Sequence, residues 1–345
     1  MKLAVFVVLT ALAFILSFVF TRRLSIPGSV FFMLDQPNER SLHSKPVPRI
    51  GGIAILASVY LCGLLALSFL GANALMPWLA AAGLLIAMIS YIDDRTSLAP
   101  ASRIVAHLAA ALLLLWGGFD MDVLELPGIN WVIPQFFGVF VSAIFIVWMV
   151  NLYNFMDGMD GFAAGMAAIG FSALAGLGWL SQDSTFTILN LIVAAASAGF
   201  LVFNFPPARI FMGDVGSSTL GLFAAAFILW GARTNVFPIW IGILVFAPFV
   251  VDATVTLLRR IVRGEKVWQA HKSHYYQRLV QLGWGHRKTV LLEYGLMLGC
   301  SLTALFIISA SIVAQWAALI TWSIIFAGIF FWVQQLDSRS HARTF

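Results

Sequence analysis

Four side chains stand at intervals of three in the segment NLYNFMDGMDG: Asn151, Asn154, Asp157 and Asp160. They follow VFVSAIFIVWMV, a run with one hydroxyl and no charge. Other acids lie at the ends of apolar runs: YIDDRTS holds Asp93 and Asp94, and RIFMGDVGSS holds Asp214. The segment AHKSHYYQRL adds His271 and His274. Carboxylates beside cations suit a divalent metal that carries a phosphorylated ligand. Magnesium prefers oxygen donors and takes one or two protein carboxylates together with substrate phosphates. Lys and Arg then balance the remaining phosphate charge. Zinc is disfavoured, because no cysteine pairs with the histidines and HKSH lacks a carboxylate at ligand spacing.

The elements that must position these groups are membrane helices. Of 345 residues, 61% are hydrophobic and 10% charged, against about 25% charged in a soluble domain. The mean hydropathy is +0.94. A spanning helix needs about 20 mostly apolar residues, and eleven intervals qualify: 2–21, 49–70, 74–92, 101–119, 134–150, 160–180, 185–204, 216–232, 237–258, 289–311 and 313–334. The first has no small-residue cleavage site after it and is followed by TRR, so it reads as a retained helix rather than a signal peptide. Alternation of the membrane-barrel kind is absent. The expected fold is an all-α polytopic integral membrane protein forming one domain over 1–345. Cys62 and Cys300 lie in apolar runs and suggest neither a disulfide framework nor a metal site.

Charge sets the expected orientation. With the connections numbered in order, eighteen of the 20 Lys and Arg residues fall on one side, and only Lys2 and Arg233 on the other. The basic side is then cytoplasmic, the N-terminus outside and the C-terminus inside. This topology, with attraction to anionic lipid, accounts for the net charge of +5 without nucleic-acid binding. Asp93, Asp94, Asp157, Asp160, Asp214, His271 and His274 all fall on or near the basic face, although only Lys and Arg were used to draw it.

Each cluster also has a plain structural reading. Asp93 and Asp94 suit a solvated helix end. MDGMDG suits a turn, although two DxG units flush against an apolar run favour function. FMGDVGSS suits a glycine-rich turn in which Asp214 or Ser217 caps the next helix, and its glycines also permit close approach to a phosphate. His271 and His274 taken alone suit an exposed loop. Asp252, one heptad before Arg259, suits a buried structural partner. Residues three apart on a helix drift by about 60° per step, so Asn151 and Asp160 would point oppositely if the helix continued. Gly158 and Gly161 let the backbone turn. The expectation is that Asn154 and Asp157 face the metal site while Asn151 holds the loop.

GGIAIL, YIDDRTS, NLYNFMDGMDG, FNFPPARIFMGDVGSS and AHKSHYYQRL occur in the order found in the polyprenyl-phosphate N-acetylhexosamine-1-phosphate transferases. From about residue 35 to 290 the chain resembles that superfamily, glycosyltransferase family 4. It looks like the bacterial branch that starts O-antigen or other surface-polysaccharide synthesis at the cytoplasmic membrane. The muramoyl-pentapeptide branch has a longer histidine cluster than His271 and His274, which argues against a muramoyl donor.

The resemblance implies attack by a lipid-linked phosphate, usually undecaprenyl phosphate, on the sugar-proximal phosphorus of a UDP-N-acetylhexosamine. UMP leaves, with magnesium as the cofactor and manganese as the alternative ion. Carried over by position, Asp214 is the metal ligand, and Asp157 and Asn154 lie beside metal and diphosphate with Asp160 next to them. Asp93 and Asp94 handle the lipid phosphate, with one as a candidate base; alternatively they hold magnesium or orient Arg95 or Lys45 toward that phosphate. Asn204 corresponds to an asparagine associated with the nucleotide base. Lys45 and Arg49 stand where the family places phosphate contacts, and His271 and His274 would contact donor diphosphate or sugar. The implied partners are undecaprenyl phosphate, the UDP-sugar and the lipid bilayer, with a homodimer as a candidate assembly. Two other classes fit the sequence less well. A transporter would place its polar groups near the midplane, and an intramembrane aspartyl protease needs a first glycine that FMGD lacks.

Overall fold

Long apolar runs fold as helices because a bilayer offers no partner to an unpaired peptide group. The computed structural model describes residues 2–26, 28, 33–36, 42, 46–71, 73–266 and 271–342. Lys45 lies outside the described residues. In chain order the elements are α1 (Lys2–Leu24), β1 (Leu34–Asp35), β2 (Val47–Pro48), α2 (Gly51–Leu70), α3 (Met76–Thr96), α4 (Pro100–Trp116), β3 (Val123–Leu126) and β4 (Ile129–Val132). Then follow α5 (Gln135–Phe155), α6 (Phe162–Leu180), α7 (Ser184–Asn204), α8 (Gly213–Arg233), α9 (Ile239–Val245), α10 (Ala247–Val262), α11 (Tyr275–Leu279), α12 (Gly285–Ile307) and α13 (Ile312–Ala342). Two short antiparallel pairs, β1–β2 and β3–β4, are the only sheets among the described residues.

The all-α polytopic architecture agrees with the composition. Nine helices among the described residues are long and apolar enough to cross a membrane. The bent pair α9 and α10 makes ten if counted as one span, and α4 is a shorter apolar helix of 17 residues. All eleven intervals therefore hold helix, but the interval 237–258 is not one rod. It breaks at Phe246 with a bend of 85°. Pro248 lies in the first turn of α10; it lacks the N–H that would continue α9 and its ring crowds the preceding turn. The outer surface is apolar, with Phe136 and Phe306 each 77% exposed, as lipid contact requires. Cys62 and Cys300 are both buried and free.

The centre of the bundle is α8, 94% buried over its apolar stretch. Small residues allow its neighbours to approach closely. A Cβ on Gly52 of α2 would lie 2.3 Å from the backbone nitrogen of Gly216 in α8. That contact places the start of α2 against the start of α8, so residues near 50 and 213 meet. Backbone bonds complete the join: Phe211 N donates to Pro48 O (2.7 Å), Gly51 N to Phe211 O (2.9 Å) and Gly52 N to Met212 O (2.8 Å). At the opposite end of the bundle, Arg233 pairs with Asp120.

Candidate active site

The segment FMGD enters α8 through Gly213, whose φ of +74° lies in the left-handed region that a side chain would strain. A Cβ there would also meet Oδ2 of Asp94 at 3.1 Å. Asp214 follows in the first turn of α8 and pairs with Nη2 of Arg49. The same nitrogen lies 3.1 Å from Oδ1 of Asp94, and Nη1 lies 3.9 Å from Asp35. Burial opposes the charge on Arg49, but Asp214, Asp94, Asp35 and Asp157 outweigh it and raise its pKa.

The row of threes is divided by the end of α5. Asn151 and Asn154 are helical, while Asp157 and Asp160 lie in the turn before α6. That turn is tied on several sides. Tyr276 donates its hydroxyl to Phe155 O (3.0 Å) and accepts from Gly158 N (3.2 Å). Tyr294 donates to Gly161 O at 2.7 Å. Asn204 accepts from Gly161 N and donates to Ile210 O, both at 2.9 Å, so its buried amide joins this turn to the segment leading into FMGD. Asp160 accepts from Ala208 N at 3.0 Å and pairs with His286 at 3.1 Å. Burial pushes the Asp157 carboxyl well up; Arg49 pulls it down, and Asp214, Asp94 and Asp160 add to the rise. Asn151 departs from expectation. It does not hold the turn; its Nδ2 reaches Val147 O (2.7 Å) on its own helix and His107 Nδ1 (3.1 Å) on α4.

The acidic pair is divided between two cations. Asp93 accepts from Leu98 N at 2.7 Å and from Arg103 Nη1 at 3.3 Å. Asp94 faces Arg49. Arg95, which sequence reasoning offered as the partner, instead lies over the ring of Tyr91 at 4.7 Å.

The histidine segment is held by Asp252. Its carboxylate accepts from Tyr275 N (3.1 Å), Tyr276 N (3.2 Å) and Thr256 Oγ1 (3.0 Å), and lies 3.3 Å from His274 Nδ1. An imidazole bound through Nδ1 leaves Nε2 for a ligand. His271 packs 4.8 Å from His274, centroid to centroid, and its Nδ1 lies 2.7 Å from Ser273 Oγ. Burial, then the neighbouring His274 and Arg260, lower the His271 pKa to about 4.

Two cavities meet at this end of the bundle. The larger, about 570 Å³, is lined by Arg49, Asp94, Asp157, Asp160, Asn204 and His286, among others. The smaller, about 340 Å³, has an apolar wall of Ile89, Ile104 and Phe155, and is also lined by His107, Asn151, His271 and His274. Asp93, Arg103, Asn154, Phe155, Asp214 and Gln277 border both. Every described residue that the resemblance assigned to the site, and Asn151, thus lines one cavity or both, whereas Asp252 and Arg95 line neither. Sequence reasoning missed His286, Arg103 and His107. Membership of the polar face was the available signal for His286, which opens α12 in the segment GWGHRK.

No three His, Cys, Asp or Glu side chains among the described residues are gathered so as to hold a metal unaided. The donor chemistry nevertheless fits magnesium. Asp214, Asp157 and Asn154 offer oxygen donors, and one or two carboxylates completed by phosphate oxygens are the usual set. Asp94 Oδ1 is buried without an aligned hydrogen bond, and Asp214 already draws a cation, Arg49.

Comparisons with known proteins place the chain in a family. Residues 76–232 match a family model described as Glycosyl transferase family 4. The chain is 32% identical over 287 residues to a probable undecaprenyl-phosphate N-acetylglucosaminyl 1-phosphate transferase of Bacillus subtilis, covering 81% of this chain and 78% of the relative. It is 34% identical over 295 residues to the decaprenyl-phosphate N-acetylglucosaminephosphotransferase of Mycolicibacterium smegmatis, covering 76% and 72%. It is 30% identical over 264 residues to the phospho-N-acetylmuramoyl-pentapeptide-transferase of Halalkalibacterium halodurans, covering 71% and 78%.

Proposed function

The chain belongs to the polyprenyl-phosphate N-acetylhexosamine-1-phosphate transferase superfamily, and on that premise we propose that it moves an N-acetylhexosamine-1-phosphate from a UDP-sugar to undecaprenyl phosphate. UMP leaves and undecaprenyl-diphosphate-sugar forms, the first membrane step of a surface polysaccharide such as O-antigen. UDP-N-acetylglucosamine is the first donor to try, because several relatives are named for that sugar. The basic end of the bundle is taken as cytoplasmic, so the nucleotide arrives from the cytosol and the lipid from the bilayer.

One observation carries this reading: two cavities of unlike lining share Asp93, Arg103, Asn154, Phe155, Asp214 and Gln277. A nucleotide-sugar suits the larger polar cavity, and a lipid phosphate suits the smaller one with the apolar wall. The reacting atoms then meet at the shared border. Holding two anions in line for displacement is most of what a phosphoryl-type transfer asks of a protein. Arg49 and Arg103, each held by carboxylates, supply positive charge on either side of that border. Asp252 accepts from Nδ1–H of His274 and so fixes the ring, leaving Nε2 as an acceptor for a hydroxyl of the donor sugar. Asp214, Asp157 and Asn154 would hold magnesium, which when bound neutralises the diphosphate and stabilises the departing UMP.

The test is transfer of radiolabel from a UDP-N-acetylhexosamine panel into organic-extractable lipid by purified protein with undecaprenyl phosphate and magnesium. Equimolar UMP release is expected. Release of UDP, or no lipid product with any donor, would reject the reading.

A further inference from the structure

The smaller cavity contains a polar pair that the steps above do not use. His107 on α4 is only 7% exposed, yet it lines that cavity. Its Nδ1 lies 3.1 Å from Nδ2 of Asn151. The orientation of that amide follows from chemistry. The same Asn151 nitrogen lies 2.7 Å from Val147 O, and a carbonyl only accepts, so the amide nitrogen rather than its oxygen must face it. Its second hydrogen then goes to His107 Nδ1, which must be the bare, accepting nitrogen. The ring proton is therefore on Nε2. Among the described residues the ring's one hydrogen bond is that of Nδ1 to Asn151. His107 thus offers one N–H to the cavity.

Arg103 lies one helical turn earlier on α4 and lines the same cavity, and residues four apart share a helix face. Ser90 and Ser218 add hydroxyls, while Ile89 and Phe155 form apolar wall. An N–H beside a guanidinium suits an anion that can only accept hydrogen bonds, and the adjoining wall suits a hydrocarbon attached to it. We propose that His107 is a binding residue for the phosphate of the polyprenyl acceptor, donating Nε2–H to a phosphate oxygen beside Arg103. Asn151 is the positioning residue that keeps the ring in its donating tautomer. This assignment rests on the transfer reaction proposed above.

Steady-state transfer by the purified full-length protein tests it, with undecaprenyl phosphate and UDP-N-acetylglucosamine varied separately. His107→Phe keeps a ring and removes the N–H. His107→Gln places an amide N–H near the position of Nε2. The Phe variant should raise KM for the lipid about tenfold or more, as expected for losing a hydrogen bond to a charged group. KM for the nucleotide sugar should stay unchanged, and the Gln variant should restore most of the lipid affinity. Should thermal melting show that the Phe variant is unfolded, His107→Asn replaces it, since its shorter amide reaches the Nδ1 position but not Nε2. An unchanged lipid KM, a rise confined to the nucleotide sugar, or a Gln variant no better than Phe or Asn overturns the assignment. Failure of the wild-type protein to label lipid from any UDP-sugar would instead reject the underlying reaction.

Discussion

Arg49 and Asp214, 165 positions apart in the chain, form an ion pair at the larger cavity. If Asp214 holds magnesium as proposed, the guanidinium occupies its carboxylate, and Arg49 and the divalent cation would compete for it. Arg49→Ala should bind Mn²⁺ several-fold more tightly than wild type without substrate, as read by electron paramagnetic resonance. Transfer should still fall by about 10²-fold, the scale of losing one preorganised electrostatic contact. Weaker Mn²⁺ binding in the variant would show that Arg49 supports the metal site instead of competing for it.

Asp214→Asn keeps the size of the side chain and removes its charge. Transfer should fall by on the order of 10²–10³-fold, while the thermal melt still reports a folded protein. Asp157→Asn should behave alike, since both carboxylates border the larger cavity. Wild-type turnover of Asp214→Asn at saturating magnesium would remove Asp214 from the metal site.

Asp252 lies outside both cavities' linings yet accepts from two backbone nitrogens and Thr256 while facing His274. Asp252→Ala leaves those donors without their carboxylate, and unmade buried bonds cost more than formed ones gain. The segment carrying Lys272 should open, and trypsin should cleave it faster than in wild type. Transfer should drop at least about tenfold, as losing one charge-assisted bond implies. Unchanged cleavage would mean that Asp252 does not hold the histidine segment.

The sequence was most informative where physics is local. Apolar length located every membrane-length helix but not α11, which lies between the ninth and tenth intervals. Positive-residue bias put Asp93, Asp94, Asp157, Asp160, Asp214, His271 and His274 on one face, where they line adjoining cavities. What it could not show was which partner each charge takes. Asp93 pairs with Arg103 rather than Arg95 because α3 and α4 lie side by side, and pairing across helices leaves no spacing rule to read. Asn151 looked like part of the row of threes, but the end of α5 at Phe155 separates it from the turn and leaves it facing His107. The break at Phe246 had a visible cause in Pro248, masked by the continuous apolar run around it. His286 stood near the polar connection without a motif, and only the packing of α12 against α6 brings it to Asp160.

His271 carries a testable pH signature. Burial first, then His274 and Arg260, lower its pKa from 6.5 to about 4. Between those values the unfolded chain binds a proton that the folded chain refuses. Its contribution to stability is therefore fully present above pH 6.5 and lost as pH falls toward about 4. Thermal melts of wild type and His271→Asn, taken across that window, should show a smaller acid-side loss in the variant. A parallel loss in both would mean that His271 titrates in the folded protein as it does in the unfolded chain.

The acidic pair decides whether this transfer needs a base. A phosphate monoester has a second pKa of about 6, so at pH 7 most of the acceptor is already dianionic and offers little proton to remove. Asp93 is occupied with Leu98 N and Arg103, and Asp94 with Arg49. Each carboxylate stands beside a guanidinium, an arrangement suited to placing a cation. Asp93→Asn and Asp94→Asn should therefore lose activity by a factor that stays nearly constant with pH, since misplaced cations are not restored by hydroxide. A base would behave differently. General-base catalysis contributes about 10²–10⁴-fold, and its loss should shrink steadily as pH rises and the acceptor ionises unaided. Transfer rates for both variants from about pH 6 to about 9.5, bracketing that second ionisation, distinguish the two. A defect that diminishes above pH 7 in either variant would identify that aspartate as the base.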